Sequence, residues 1–78
     1  MEEKVMEIIY NACDDKVIYK NKNMNLFETG LLDSMEFIEL LITLEEEFDI
    51  EIEPAEISKD KMNTSNQLIE FIRRKING

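Results

Sequence analysis

Apolar residues recur along this chain at helical spacing in three places. Val5, Ile8, Ile9 and Ala12 fall at i, i+3, i+4 and i+7, which predicts a helix over residues 3–13. Asp14 and Asp15 weaken the pattern. Residues 16–30, with lysines at 16, 20 and 22 and asparagines at 21, 23 and 25, read as a long loop. Val17, Ile18, Leu26 and Phe27 supply it with apolar anchors, so it is expected to pack down on the core. The strongest pattern covers 34–48. At about 100° per residue, Phe37, Leu40, Leu41, Leu44 and Phe48 share a narrow arc. Residues 49–53 alternate polar and apolar, a short extended piece with Ile50 and Ile52 inward. Pro54 to Ser58 reads as a short helical turn with proline at its first position. Residues 59–63 form a loop. Thr64-Ser65-Asn66-Gln67 has the form of a capping box and starts a last helix ending near Ile76, with Leu68, Phe71 and Ile72 as its core stripe.

These elements make three longer helices and one short one. The expected fold class is all-α, a small four-helix bundle forming a single domain over residues 1–78. The helix at 34 has a definite start. Gly30 breaks the chain, and Asp33 and Glu36 have the spacing of a capping box. Ser34 is then the first helical residue, among backbone N–H groups without intrahelical partners at the positive end of the dipole. The face opposite the core stripe carries Met35, Glu39, Ile42 and Glu46, with Ile38 and Asp49 at its edge. Apolar residues among glutamates on a face turned to water point to docking: the apolars bury against a partner while the carboxylates pair with its Lys and Arg.

Charge sharpens this. The formal net charge is −9, and no base lies between Lys22 and Lys59, an interval that holds eleven acids. Such a block repels nucleic acid and anionic membrane. It attracts basic protein patches. Arg73, Arg74 and Lys75 fall in the final turn of the last helix, where cations suit the dipole. No apolar run is long enough to span a membrane, and Met1-Glu2-Glu3-Lys4 lacks the form of a signal peptide. The expected location is cytoplasmic, and the expected state is monomeric.

Candidate chemistry is narrow. The chain has no histidine, one cysteine (Cys13), and only Gly30 and Gly78 as glycines. Histidine-based catalysis, an internal disulfide and a Gly-rich phosphate loop are all excluded. An EF-hand frame from Asp49 puts Pro54 where the loop needs glycine, so no metal site is expected. Catalysis by this chain alone is not expected either. One hydroxyl remains, that of Ser34, beside an acidic face set with apolar residues.

Gly30-Leu31-Leu32-Asp33-Ser34-Met35, followed by Glu39-Leu40-Leu41, resembles the phosphopantetheine attachment site of acyl and peptidyl carrier proteins. The resemblance continues through Leu44-Glu45-Glu46-Glu47-Phe48 and the last helix. It implies an acyl-carrier-like four-helix bundle. It also implies a 4′-phosphopantetheine arm, moved from coenzyme A to Ser34 by a phosphopantetheinyl transferase, with Asp33 assisting near the transferase's magnesium. The arm would carry an acyl or aminoacyl group as a thioester. An adenylating ligase, or an acyl transferase or synthase, would read the helix after Ser34 through a basic docking patch. The partner-binding residues are then Met35, Glu36, Ile38, Glu39, Ile42 and Glu46. Phe27 to Met35 is similar to D-alanyl carrier proteins, which serve teichoic acid esterification. There Met62 and Ser65 stand in place of a tryptophan and a proline, and Glu56-Ile57-Ser58-Lys59 in place of Glu-Phe-Asp-Arg. Leu44 to Asp49 looks more like fatty-acid carriers, so fatty-acid and secondary-metabolite systems are the other branch. From a different class, an unmodified acidic helical adaptor for a basic partner also accounts for the acidic face.

Overall fold

The computed structural model describes all residues, Met1–Gly78. It is all-helical, as the periodicity predicts. Helix α1 spans Glu2–Cys13, α2 Val17–Lys20, α3 Ser34–Phe48 and α4 Ser65–Asn77. Two single 3₁₀ turns, Pro54–Glu56 and Lys59–Lys61, lie between α3 and α4. Helix α1 packs on both α3 and α4. Each helix turns its apolar stripe inward: Val5, Ile8 and Ile9 from α1, Phe37, Leu40, Leu41 and Leu44 from α3, Leu68, Phe71 and Ile72 from α4. Phe48, expected at the end of the α3 stripe, is only partly buried against this core, as is Ala12.

Both α1 and α3 end on an aspartate in the left-handed region, Asp14 at φ 54° and Asp49 at φ 53°. Aspartate tolerates that conformation better than most residues that carry a Cβ. The N–H of Asp14 donates to Tyr10 O and that of Asp49 to Glu45 O, which closes each helix.

The short helix lies elsewhere than expected. Pro54 to Ser58 closes only one 3₁₀ turn, because the chain returns to extended backbone at Ile57. The four-residue helix is α2, inside the stretch read as loop. Asp15 Oδ1 accepts from Val17 N–H (2.9 Å), and Ile18 is fully buried. One turn cannot display a periodic stripe, so burial of a single side chain fixes it and no pattern announces it. Residues 49–53 find no partner strand. Ile52 is buried as expected, but its N–H donates to the Glu45 carboxylate (2.7 Å).

The rest of the first connection is packed down, with Leu26 and Leu32 in the core. Asn25 Oδ1 accepts from the N–H groups of Phe27 and Glu28, both at 3.0 Å, and folds the chain into a turn. Gly30 then takes φ +79°, where a side chain is strained although the space around it is open. Two bonds clasp this connection to the chain before and at the start of α4. Leu26 N–H donates to Asn63 O (2.7 Å), and Asn66 N–H to Lys22 O (3.0 Å).

Thr64 caps α4 as its sequence predicts. Gln67 N–H donates to Thr64 Oγ1 (3.1 Å), and Gln67 Oε1 accepts from Thr64 N–H (3.2 Å). Ser65, the first residue of α4, is 1 % exposed, and its Oγ finds no hydrogen-bond partner. The first helical position is where a proline is accommodated, and Thr64 before it has the extended backbone a proline imposes. A serine there buries a hydroxyl for nothing. Ser65→Ala is therefore expected to stabilise the fold by about 1 kcal/mol, visible as a rise of several degrees in Tm. A fall in Tm on thermal unfolding would show that the hydroxyl is satisfied in solution.

Candidate functional site

The first turn of α3 is the feature around which the candidate residues gather. Asp33 is its N-cap, with both halves of the box formed: Glu36 N–H donates to Asp33 Oδ1 (2.7 Å), and Asp33 N–H donates to Glu36 Oε1 (3.0 Å). The first intrahelical bond runs from Phe37 N–H to Asp33 O (2.9 Å). The N–H groups of Ser34 and Met35 therefore precede the helical ladder and face outward at its positive end. Ser34 is exposed on this turn.

A residue that local sequence gave no reason to place here completes the site. Lys59, on the second 3₁₀ turn, donates from Nζ to Ser34 Oγ across 25 positions of sequence. Its ammonium also lies 5.2 Å from the centroid of the Phe27 ring. That ring is held edge-on by Phe37 of α3, with centroids 5.1 Å apart at 77°. The first base after the acidic block thus meets no carboxylate in a salt bridge and points at a hydroxyl instead. Two signals for it exist in the sequence: Lys59 ends the base-free interval, and it matches the arginine of the carrier segment it loosely resembles.

These surroundings fit a phosphodiester. The Ser34 hydroxyl oxygen is open to solvent, an ammonium already reaches it, and two N–H groups ahead of the helical ladder lie on the same turn. Ser34 Oγ still has its own proton and a second lone pair to offer.

The other candidates are arranged as follows. Met35, Ile38 and Ile42 are 72 %, 45 % and 48 % exposed, half of the large hydrophobic side chains that the molecule leaves in water. Glu39 and Glu46 are exposed on the same helix. Glu36 differs from them: it is half-buried, with its carboxylate engaged in the cap. At the C-terminal end two of the three bases, Arg73 and Lys75, are paired. Arg73 bridges Glu2 (2.7 Å) and Glu70, and Lys75 meets Glu56 at 2.9 Å. The Glu53 N–H and the Lys75 ammonium hold the Glu56 carboxyl below the usual range. Within the acidic block, Glu56 is the one acid that closes a salt bridge; along α3, Glu39, Glu46 and Glu47 are exposed and unpaired, while the Glu36 and Glu45 carboxylates accept backbone N–H bonds.

Cys13, at the end of α1, is half-buried, and its thiol is pushed up to about 11, chiefly by burial, with Glu36 and Asp15 adding to it. At neutral pH it is a protonated, weakly reactive thiol. No helix is long and apolar enough to cross a membrane.

Comparison with protein-family models matches residues 4–72 to the family described as phosphopantetheine attachment site. Among curated proteins, the chain is 30% identical over 76 residues to a D-alanyl carrier protein of Abiotrophia defectiva, covering 97% of this chain and 96% of that one. It is 34% identical over 68 residues to a D-alanyl carrier protein of Bacillus subtilis, covering 87% of each. A D-alanyl carrier protein of Bacillus licheniformis is 34% identical over 67 residues, with 86% of each chain covered.

Proposed function

The chain belongs to the phosphopantetheine attachment-site family and is a carrier protein, and from that premise we propose that Ser34 takes the arm and that its cargo is a D-alanyl group. That family carries covalently attached 4′-phosphopantetheine, which supplies a flexible tether ending in a thiol that holds the acyl group as a thioester. The observation carrying the reading is the exposed Ser34 hydroxyl at the start of α3 with the Lys59 ammonium on its oxygen. In the attachment step Ser34 Oγ forms a bond to the β-phosphorus of coenzyme A. The pyrophosphate P–O bond breaks and adenosine 3′,5′-bisphosphate leaves. The hydroxyl proton passes to a base of the transferase, so this chain needs no histidine of its own. The role of the protein is then to hold its cargo at high effective concentration near successive enzymes. Its partners are a phosphopantetheinyl transferase and a D-alanine-adenylating ligase, met as a monomer in the cytoplasm. Met35, Ile38, Glu39, Ile42 and Glu46 form the docking face, with Glu36 contributing mainly through the cap.

The test is incubation with coenzyme A and a broad-specificity transferase, followed by mass spectrometry. A gain of one phosphopantetheine unit is expected, located on the Ser34 peptide and absent in Ser34→Ala. No gain, or a gain that survives the substitution, would leave the adaptor reading in possession. For the cargo, the arm-bearing protein is offered separately to a D-alanine-adenylating ligase with D-alanine and to a fatty-acid-adenylating ligase with a fatty acid. Thioester formation with D-alanine alone is expected, and preference for a fatty acid overturns the D-alanyl assignment.

Asp33 has two separable duties on this reading. Its Oδ1 caps α3, and its charge faces the transferase's magnesium. Asparagine caps about as well as aspartate. Asp33→Asn is therefore expected to hold stability within about 0.5 kcal/mol and yet slow arm loading, whereas Asp33→Ala loses about 1 kcal/mol as well. Denaturant titrations read beside loading rates separate the two. Equal loading by wild type and Asp33→Asn would show that the carboxylate acts only as a cap.

A further inference from the structure

The contact between Lys59 and Ser34 bears on what happens after modification. A phosphodiester on Ser34 Oγ adds a negative charge directly beside Asp33 and Glu36, inside the acidic block. In the folded chain, the side-chain cation already touching that oxygen is Lys59. Nothing else claims it: Lys59 joins no salt bridge, and its remaining contact is the face of Phe27. That ring is itself anchored on Phe37, so the ammonium is steered toward Ser34 from a fixed base.

We propose that Lys59 is the clamp for the phosphodiester of the modified protein, pairing with the phosphate on Ser34 and holding the root of the arm. This rests on Ser34 being the attachment residue. Before modification the ammonium donates to a neutral hydroxyl oxygen, a modest interaction at an exposed position. After modification it faces a full negative charge from the same place, and the bond becomes charge-assisted. The pair therefore favours the modified state over the unmodified one. Remove the cation, and the new charge is left among carboxylates with only the end of α3 to stabilise it. The proposal differs from the docking role of α3: Lys59 lies on a separate turn and acts on the arm.

The experiment compares Tm of the modified and unmodified forms of the full chain in wild type, Lys59→Met, Lys59→Arg and Lys59→Glu. Each protein is loaded by coenzyme A and transferase, and loading is verified by mass. The quantity read is the change in Tm on modification, so any effect of the substitution on the unmodified fold cancels. Wild type and Lys59→Arg are expected to show the larger change. In Lys59→Met the change is expected to be lower by about 2–4 °C. In Lys59→Glu it is lower still, with modification now destabilising. In 1 M NaCl the difference between wild type and Lys59→Met is expected to collapse, because the pair is exposed. An identical change in wild type and Lys59→Met at low salt overturns the clamp, as does a difference that persists unaltered in 1 M NaCl. A wild-type chain that takes no arm at all overturns the carrier reading, and the clamp with it. A chain that takes the arm while its Tm change ignores residue 59 overturns the clamp alone.

Discussion

Phe37→Ala is expected to cost about 3–5 kcal/mol of folding stability. Phe37 is 1 % exposed, in the first turns of α3, and touches both the core and the Phe27 ring. Its removal leaves a cavity in the core, and a 78-residue chain has little stability to spare. The effect reaches the functional site through a physical chain of contacts. Phe27 loses the edge that holds it, and Lys59 loses the ring that steers it toward Ser34. Chemical denaturation followed by circular dichroism checks the first part. A loss below about 1 kcal/mol would mean that the neighbouring side chains repack to fill the space.

The second large effect belongs to the proposed docking face. Glu39→Lys with Glu46→Lys is expected to lower the rate at which partner enzymes use the carrier by roughly tenfold for each reversal. Both residues are exposed and neither closes a salt bridge. Reversal turns attraction to a basic patch into repulsion and acts mainly on encounter. Tm is expected to stay within a few degrees of wild type. Turnover measured against salt concentration checks the mechanism: the deficit shrinks as salt rises, since wild type loses its electrostatic advantage. An undiminished rate would place the partner's contact elsewhere. A collapse in Tm would instead mean that these side chains support the fold.

Much of this arrangement is written locally in the chain. The bounds of α3, both capping boxes and the stripe from Phe37 to Leu44 follow from residues three or four positions apart. So does the exposure of Met35, Ile38 and Ile42, because a helix that turns one stripe inward must turn the other face out. What was illegible depends on distant partners. Val17–Lys20 is too short for periodicity and takes its form from the buried Ile18. Met62 falls in the stretch read as a loop, yet its side chain is buried in the core. Ile50 and Ile52 alternate like a strand but meet no second strand, and a carboxylate of α3 takes the backbone bond instead. Lys59 is the clearest case. No rule of spacing joins it to Ser34, and only the path of the chain between α3 and α4 sets it there.

That path has a consequence for the order in which the molecule is made. The clasp joins Leu26 to Asn63 and Lys22 to Asn66, pairs roughly forty residues apart. Closing so long a loop costs entropy that only the assembled core repays. A chain emerging during synthesis acquires Ser34 and the whole of α3 well before it acquires Lys59, and the clasp waits for still later residues. The cation at Ser34 is thus absent from every shorter nascent chain. Any interaction that depends on the Lys59 ammonium at Ser34 therefore waits for the chain beyond α3 and for the fold that brings the two together.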